Sequence, residues 1–518
     1  MTIVNTNVGS NVARAALASQ DRDMQGAIES LSTGLRINSA SDDVAGMAIS
    51  SRMESTIRGL SQAIRNSSDG KNMFDTIEGA SLEAVNILQR IRELAVQSAN
   101  DSNTGLDRSF LQKELTQLVA EVDRISSHTT WNGKKVLDGT LSGQQIQIGM
   151  FNDEDITFSV DNIGSGSVGN YEVDTLNEVD LHASAGAAVI TDNTFTIVGS
   201  VGSKTVTATA ATAKQHAAIT NSVTAETGVT ATAVTKVKIN GLAKAGTHTV
   251  NGAYSMALQG TNTAATTITF TIDVASDMRA LRDAVNNVSG TTGITAKMGA
   301  TNADVILTHA TGEDIVITAF DGAGTENGSN YHTLDVTALK ADETAQDNAG
   351  DDAVGAAVTA DGSGFKATLT SDTDSALLST RSHGTVKFQS AEAFSISGYD
   401  TVALPSALSN GTLASLASAS LSTAVNAEKA IRIVDGALHK INTVRADLGA
   451  MSNRMDAAID NLTNVVTNTQ SSQSHIQDAD FAAETSKLTK AQILAQAATS
   501  MLAQANTSKQ GVLSLLQN

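Results

Sequence analysis

Apolar residues recur at alternating spacings of three and four near both ends of the chain and at spacings of two in its middle, which predicts helices outside and strands between them. Met24, Ile28, Leu31 and Leu35 make one helical stripe, and Ile77, Ala80, Ala84, Leu88, Ile91 and Ala95 make a stronger one. Ser41-Asp42 reads as the N-cap before DVAGMAISSRM, and the polar run SANDSNTG as the stop. The proline-free stretch between them predicts a helical rod of roughly 85 Å at about 1.5 Å per residue. A further helix is expected over 106–127 on Leu111, Leu115, Leu118, Val122 and Ile125. After Trp131-Asn132-Gly133 the period changes to two, and QQIQIGM and DITFSV predict short strands.

Near the other end, Val434, Ile441, Leu448, Met455 and Leu462 repeat every seven residues, beside a second seam of Ile431, Leu438, Ile459 and Val466 broken at Arg445 and Ser452. A final segment, 479–516, places Leu488, Ala491, Leu494, Ala498, Met501 and Ala505 on one face. Neither end can bury its stripe alone, so the two ends are expected to pack together. The expected fold is therefore mainly α at both ends, with paired long coiled-coil-like helices and an inserted α+β, β-rich region. Within the insert, ATTITFTIDVA, SDMRALRDAVNNV and GITAKM predict strand, helix and strand, followed by ADVILTHATGEDIVITAF as a hairpin turning at Gly312. A looser echo of this unit is expected near GFKATLTSDTD and GTVKFQSAEAFSISGYD.

Composition narrows the function. With 3% aromatic residues the core must be built from Ala, Val, Leu and Ile, which disfavours an aromatic-lined catalytic pocket. A net charge of −20 without a basic cluster argues against nucleic acid as a partner. The absence of cysteine excludes disulfides, thiolate metal sites and cysteine nucleophiles. The nine histidines stand singly and suggest no metal site. Gly164-Ser-Gly166-Ser-Val-Gly169 matches a dinucleotide fingerprint only formally, because acidic NYEVDTLNEVD follows where a helix should open, so no cofactor is expected. No segment approaches the ~18 apolar residues of a membrane span, and the start lacks the pattern of a cleaved secretory signal. A soluble chain without membrane insertion is expected.

On the helix through 77–98, a stripe centred on Ala84 and Leu88 sends Asn86, Arg90, Glu93 and Gln97 to the far side. Leu94 falls about 80° from the stripe centre, beside Arg90 and Gln97, and reads either as the stripe's edge or as a protein-contact spot. The Ala-, Ser-, Asn- and Gln-rich termini either order on assembly or form an intramolecular hairpin; Leu513, Leu515 and Leu516 need a partner.

Five segments carry a family likeness: SLSTGLRINSASDDVAGMAISSRM at 30–53, LQRIRELAVQSAN at 88–100, WNGKKVLDG at 131–139, LGAMSNRMDAAIDNL at 448–462 and DADFAAETSKLTKAQILAQAATSMLAQAN at 478–506. In this order they closely resemble bacterial flagellin, the subunit of the flagellar filament, over approximately residues 1–165 and 415–518. His475 is a departure, standing where the family usually has arginine.

The resemblance implies that 1–42 and 478–518 form the filament's inner tube. It places 43–172 and 410–477, a helical rod with β-hairpins, in the outer tube, and makes 173–409 a variable, surface-exposed insert. It implies a non-enzymatic structural protein that self-assembles into a helical homopolymer for swimming motility outside the cell, exported without a cleaved signal peptide. The implied partners are other copies of itself, the flagellar export apparatus, a secretion chaperone, the filament cap, the hook-junction proteins and a host Toll-like receptor. Gly34, Leu35, Arg36, Ile37, Asn38, Asp42, Asp43 and Gly46 match the family's junction between inner and outer domains. Arg90, Leu94, Gln97 and Glu114 match the surface sensed by the receptor, and Leu513, Leu515 and Leu516 the chaperone and assembly tail. Two alternatives stay open: a hook-filament junction protein, which shares the ends, and a filament subunit whose insert acts as an adhesin.

Overall fold

The computed structural model describes residues 7–175, 179–182, 193–208, 212–244, 252–274, 276–322, 332–339, 343, 366–370, 379–398 and 410–516. Its long helices are α1 (Val8–Thr33), α2 (Val44–Ala99) and α3 (Gly105–His128) before the strands, and α8 (Ala424–Gln477) and α9 (Phe481–Leu516) after them. Among the described residues four short α-helices lie between: α4 (Ala213–Ser222), α5 (Thr224–Thr227), α6 (Arg279–Asn287) and α7 (Ser289–Thr292). The chain divides into two compact units, one of residues 1–76, 141–159 and 447–518, the other of 77–140 and 160–446.

In the first unit α1 and α9 run antiparallel. The Asn7 amide donates to the Ala505 carbonyl at one end, and the Ala479 N–H to the Gly34 carbonyl at the other. Ser10, Ala13, Leu17, Gln20, Met24, Ala27 and Leu31 of α1 turn inward, as do Glu484, Leu488, Ala491, Ala495, Ala498, Leu502 and Ala505 of α9. Both sets keep the three-four alternation of a coiled-coil seam. The expected α9 face is thereby corrected: Leu494 and Met501 are exposed, because the small residues Ala491, Ala495 and Ala498 let the two backbones approach and take the inner side. Leu35 is corrected too. Gly34 ends α1 in the left-handed conformation (φ 73°), and Leu35 leaves the stripe to bridge Asp478.

Residues 44–76 of α2 lie against 447–477 of α8 in the same unit, tied by Lys71 to Asp456 and by Ser50 to Gln477. The hairpin of strands Gln144–Gln147 and Asp155–Phe158 packs on them, with the Phe158 ring edge-on to Phe74 at 4.9 Å. Gly70 makes room for it, since a Cβ there would stand 2.6 Å from Ile146 Cδ1 and 3.0 Å from Met455 Cε. The predicted heptad holds: Val434, Ile441, Leu448 and Met455 are buried, and Leu462 half-buried.

The second unit begins with residues 77–99 of α2 beside 424–446 of α8, joined by Arg92 to Asp435 and by Arg445 to Glu78. Helix α3 packs on the same stretch of α2, its start fixed by a capping box between Thr104 and Asp107. The Trp131-Asn132-Gly133 signal becomes a two-residue turn, Asn132 and Gly133 both at positive φ, between strands Thr130–Trp131 and Lys134–Lys135.

The β-rich part of this unit holds an eight-stranded sheet. Its main path runs Ile294–Met298, Asp304–His309, Thr230–Lys244, Thr385–Ser390, Gly169–Asp174 and Thr412–Ser415, with His332–Leu339 also on the long central strand and Lys366–Thr370 beyond it. The sheet thus reaches past 173–409 at both ends. A five-stranded sheet contains Thr266–Ile272, Gly252–Gln259 and Ile315–Gly322, and the two sheets enclose one core with α6, through Val237, Ile239, Tyr254, Leu281, Val305 and Leu307.

Two expectations about the insert are corrected. Gly312 does turn the chain (φ 78°), but 304–309 and 315–322 do not form a hairpin. Strand 304–309 already has partners on both edges, so the chain crosses to the other sheet. The repeat also lies elsewhere. Residues 213–231 follow the same plan as 279–296: helix, one short helical turn, a left-handed glycine (Gly228, Gly293), then a strand. In each copy an asparagine on the helix, Asn221 or Asn286, exchanges two hydrogen bonds with the backbone of the following strand, at Ala231 or Ala296. The expected echo at 364–374 instead yields strand Lys366–Thr370, with its remaining residues outside those described.

Candidate functional site

The eight expected junction residues come together in one turn between α1 and α2. Gly34 closes α1. Arg36 then donates its N–H to the Gln477 carbonyl at 2.7 Å and its guanidinium to the Ile476 carbonyl, so this turn is pinned to the end of α8. Asn38 reaches back to the Leu35 carbonyl. One oxygen of Asp42 accepts from the backbone N–H groups of Ser39 and Asn38, which hold its carboxyl below the usual carboxylate range. The N-cap of α2 is therefore Asp43 and not Asp42: Asp43 Oδ1 accepts from Gly46 N at 2.9 Å, three residues on, where a cap's partner must lie. Ile37 is buried against this cap, and a Cβ on Gly46 would come within 2.6 Å of Ile37 Cδ1.

On the α2–α3 surface, the Arg90 guanidinium contacts Glu93 at 2.9 Å and Glu114 of α3 at 2.9 Å, and these two hydrogen bonds raise its pKa. Arg90 and Gln97 are exposed. Leu94 is corrected as a surface contact: it is 1% exposed. Its position lies about 40° around the helix from Arg90, on the side that Arg90 uses to reach α3, so α3 covers it. The buried stripe is wider than expected because two helices, α3 and α8, lie against it. The backbone of Leu513, Leu515 and Leu516 continues α9, while their side chains fall outside the described residues.

Sequence periodicity missed a second set of apolar positions, those left uncovered. Val8, Val12 and Ile28 on α1, Phe481, Ile493, Leu494 and Met501 on α9, and Leu106 and Phe110 on α3 are all exposed by 40% or more. Such a density on long helices marks surfaces that other protein covers. A signal was present in the sequence, since apolar residues at 493, 494 and 501 make α9 hydrophobic on more than one side. Among the described residues there is no cluster of three or more potential metal ligands, and no helix is long and apolar enough to cross a membrane.

The bacterial flagellin N-terminal helical region matches residues 4–142, and the bacterial flagellin C-terminal helical region matches residues 431–516. Over 99% of both chains the sequence is 38% identical to the B-type flagellin of Pseudomonas aeruginosa. It is 35% identical to the flagellin of Salmonella typhimurium, again over 99% of each. A solved structure of FliC from Burkholderia pseudomallei aligns with 74% of this chain and 99% of that one, at 18% identity and a TM-score of 0.28. With two helical ends that match the family's own regions and full-length identity well above 30%, the chain belongs to the bacterial flagellins.

Proposed function

We propose that this flagellin, a non-enzymatic structural subunit of the extracellular flagellar filament, propagates the filament through the uncovered faces of α1 and α9. The observation that carries this is the exposure of Val8, Val12 and Ile28 on one helix and Ile493, Leu494 and Met501 on the other, outside the seam that holds the two helices together. Burying such faces against neighbouring copies contributes about 25 cal/mol per Å² of apolar area, offset by the ordering of the termini. Contacts between unlike faces that do not close on themselves generate a helix. Full-length similarity to flagellins supports a propagating subunit over a hook-filament junction protein.

Within that role, residues 1–42 and 478–518 form the inner tube, 43–172 and 410–477 the outer tube, and 173–409 projects outwards. The turn through Gly34, Leu35, Arg36, Ile37, Asn38, Asp42, Asp43 and Gly46 is the junction between inner and outer parts. The tail with Leu513, Leu515 and Leu516 serves chaperone binding and assembly, and the chain is exported unfolded through the flagellar apparatus without cleavage of a signal. Arg90, Gln97 and Glu114 form the face offered to a Toll-like receptor, with Leu94 supporting it from beneath.

Seeded polymerisation in ammonium sulfate, viewed by negative-stain electron microscopy, tests assembly. The full chain should elongate seeds, and a chain lacking 479–518 should stay soluble and folded without elongating them. Normal filaments from the truncated chain would exclude this mechanism. A receptor-reporter assay on Arg90→Ala and Glu114→Ala tests the recognition face separately.

A further inference from the structure

In a chain with a net charge of −20, one face of the eight-stranded sheet gathers lysines. Across four adjacent strands, Thr337, Lys238, Ile306 and Lys297 stand side by side. The next row on the same face contains Lys236. Alternation along each strand sends Val237, Ile239, Val305 and Leu307 to the opposite face, where they form the core.

A cavity of about 360 Å³ opens over this face, and its lining includes Lys238, Lys297, Ile306, Leu339, Asp304 and Glu343. That volume accommodates one sugar ring with substituents. Glu343 Oε1 accepts from Lys297 Nζ at 2.5 Å and from half-buried Lys236 Nζ at 3.1 Å, so the cradle already holds a carboxylate. Lys238 lines the cavity beside Lys297. Asp304, held by the Thr301 hydroxyl at 3.0 Å, places a second kind of group in the lining, an acceptor for hydroxyl donors.

A ligand that satisfies both kinds of group must carry a carboxylate and several hydroxyls. We propose that this cavity binds an acidic sugar of the uronic or sialic acid type. Its carboxylate lies against Lys238 and Lys297, its hydroxyls donate to Asp304, and Glu343 is the internal competitor for Lys297. A purely acidic peptide fits less well, because it brings a carboxylate on every residue to a lining that already holds Asp304 and Glu343. The inference rests on the reading that 173–409 faces outwards from the filament.

The test is calorimetric titration of the full-length monomer at low ionic strength with oligoglucuronic acid and with N-acetylneuraminic acid. Controls are N-acetylglucosamine and polyglutamate. At least one acidic sugar should bind saturably. Lys238→Gln should weaken it about tenfold, the scale of one charge-assisted hydrogen bond. Glu343→Gln should strengthen it, Asp304→Asn should weaken it, and N-acetylglucosamine should not bind. Absence of saturable binding even with Glu343→Gln, unchanged affinity in Lys238→Gln, or equal binding of polyglutamate would overturn the proposal. The same Lys238→Gln chain should elongate filament seeds normally. Failure there would instead overturn the outward placement of the insert.

Discussion

Lys71 Nζ lies 2.6 Å and 2.7 Å from the two carboxylate oxygens of Asp456, a residue 385 positions further along the chain. The contact fixes α2 against α8 just beside Gly70, where the backbone must pass close to Met455. Both side chains are more than a third exposed, so the pair sets register more than it adds stability. Lys71→Asp alone should lower the melting temperature by placing two carboxylates together, and adding Asp456→Lys should restore it. No recovery in the double variant, measured by circular dichroism, would mean that the pair does not set the register.

Glycines in the long helices should respond in opposite directions. A Cβ on Gly436 would stand 2.4 Å from the Gly169 carbonyl oxygen and 3.0 Å from Asn170 Cα, backbone atoms that cannot rotate away. Gly436→Ala should therefore destabilise by about 1–3 kcal/mol. Gly79 is exposed on α2 with nothing within 4 Å of a Cβ, so Gly79→Ala should stabilise by about 0.5–1 kcal/mol. Urea titrations of the two variants check the sign of each.

The duplicated unit in the insert offers a paired test. Asn286 bonds both the N–H and the carbonyl of Ala296, and Asn221 does the same for Ala231, at 2.8–2.9 Å. Each amide occupies a stretch of strand edge that no neighbouring strand covers among the described residues. Either asparagine changed to alanine should cost about 1–3 kcal/mol, because buried backbone groups lose their partners. The two losses should nearly add, since the sites share no contacts.

His216 is buried and stacked on Phe195 at 6.0 Å, and burial pushes its pKa from 6.5 down to about 4. The unfolded chain binds this proton more readily than the folded one. Stability is therefore full above about pH 6.5 and falls as the pH drops towards 4, by up to roughly 2–3 kcal/mol. His216→Phe should flatten that part of the stability-pH curve in chemical denaturation. A slope between pH 6.5 and 4 equal to that of the unaltered chain would assign it to other groups.

Ile493→Asp and Met501→Asp alter side chains that the monomer leaves 60% and 65% exposed. Monomer melting should change little, while seeded elongation stops. Loss of monomer helicity would show that these residues serve the fold of the subunit itself.

Periodicity by itself determined the long helices at both ends, the heptad of α8, the helix over 106–127 and the change to short strands after Trp131-Asn132-Gly133, because each depends on residues close together in the chain. Motif order added the family. Tertiary structure decided which side of each helix is covered. Leu94 is buried because α3 lies over it. Leu494 and Met501 are left out because α1 approaches α9 across alanines. The same holds for 304–322: Gly312 specifies a turn, but the edges already occupied decide which sheet the chain joins. The lysine face over Ile306 was equally hidden, since its rows are assembled from four strands that only register brings together. Local sequence fixes period and turn chemistry, whereas coverage and pairing depend on distant segments competing for the same surface.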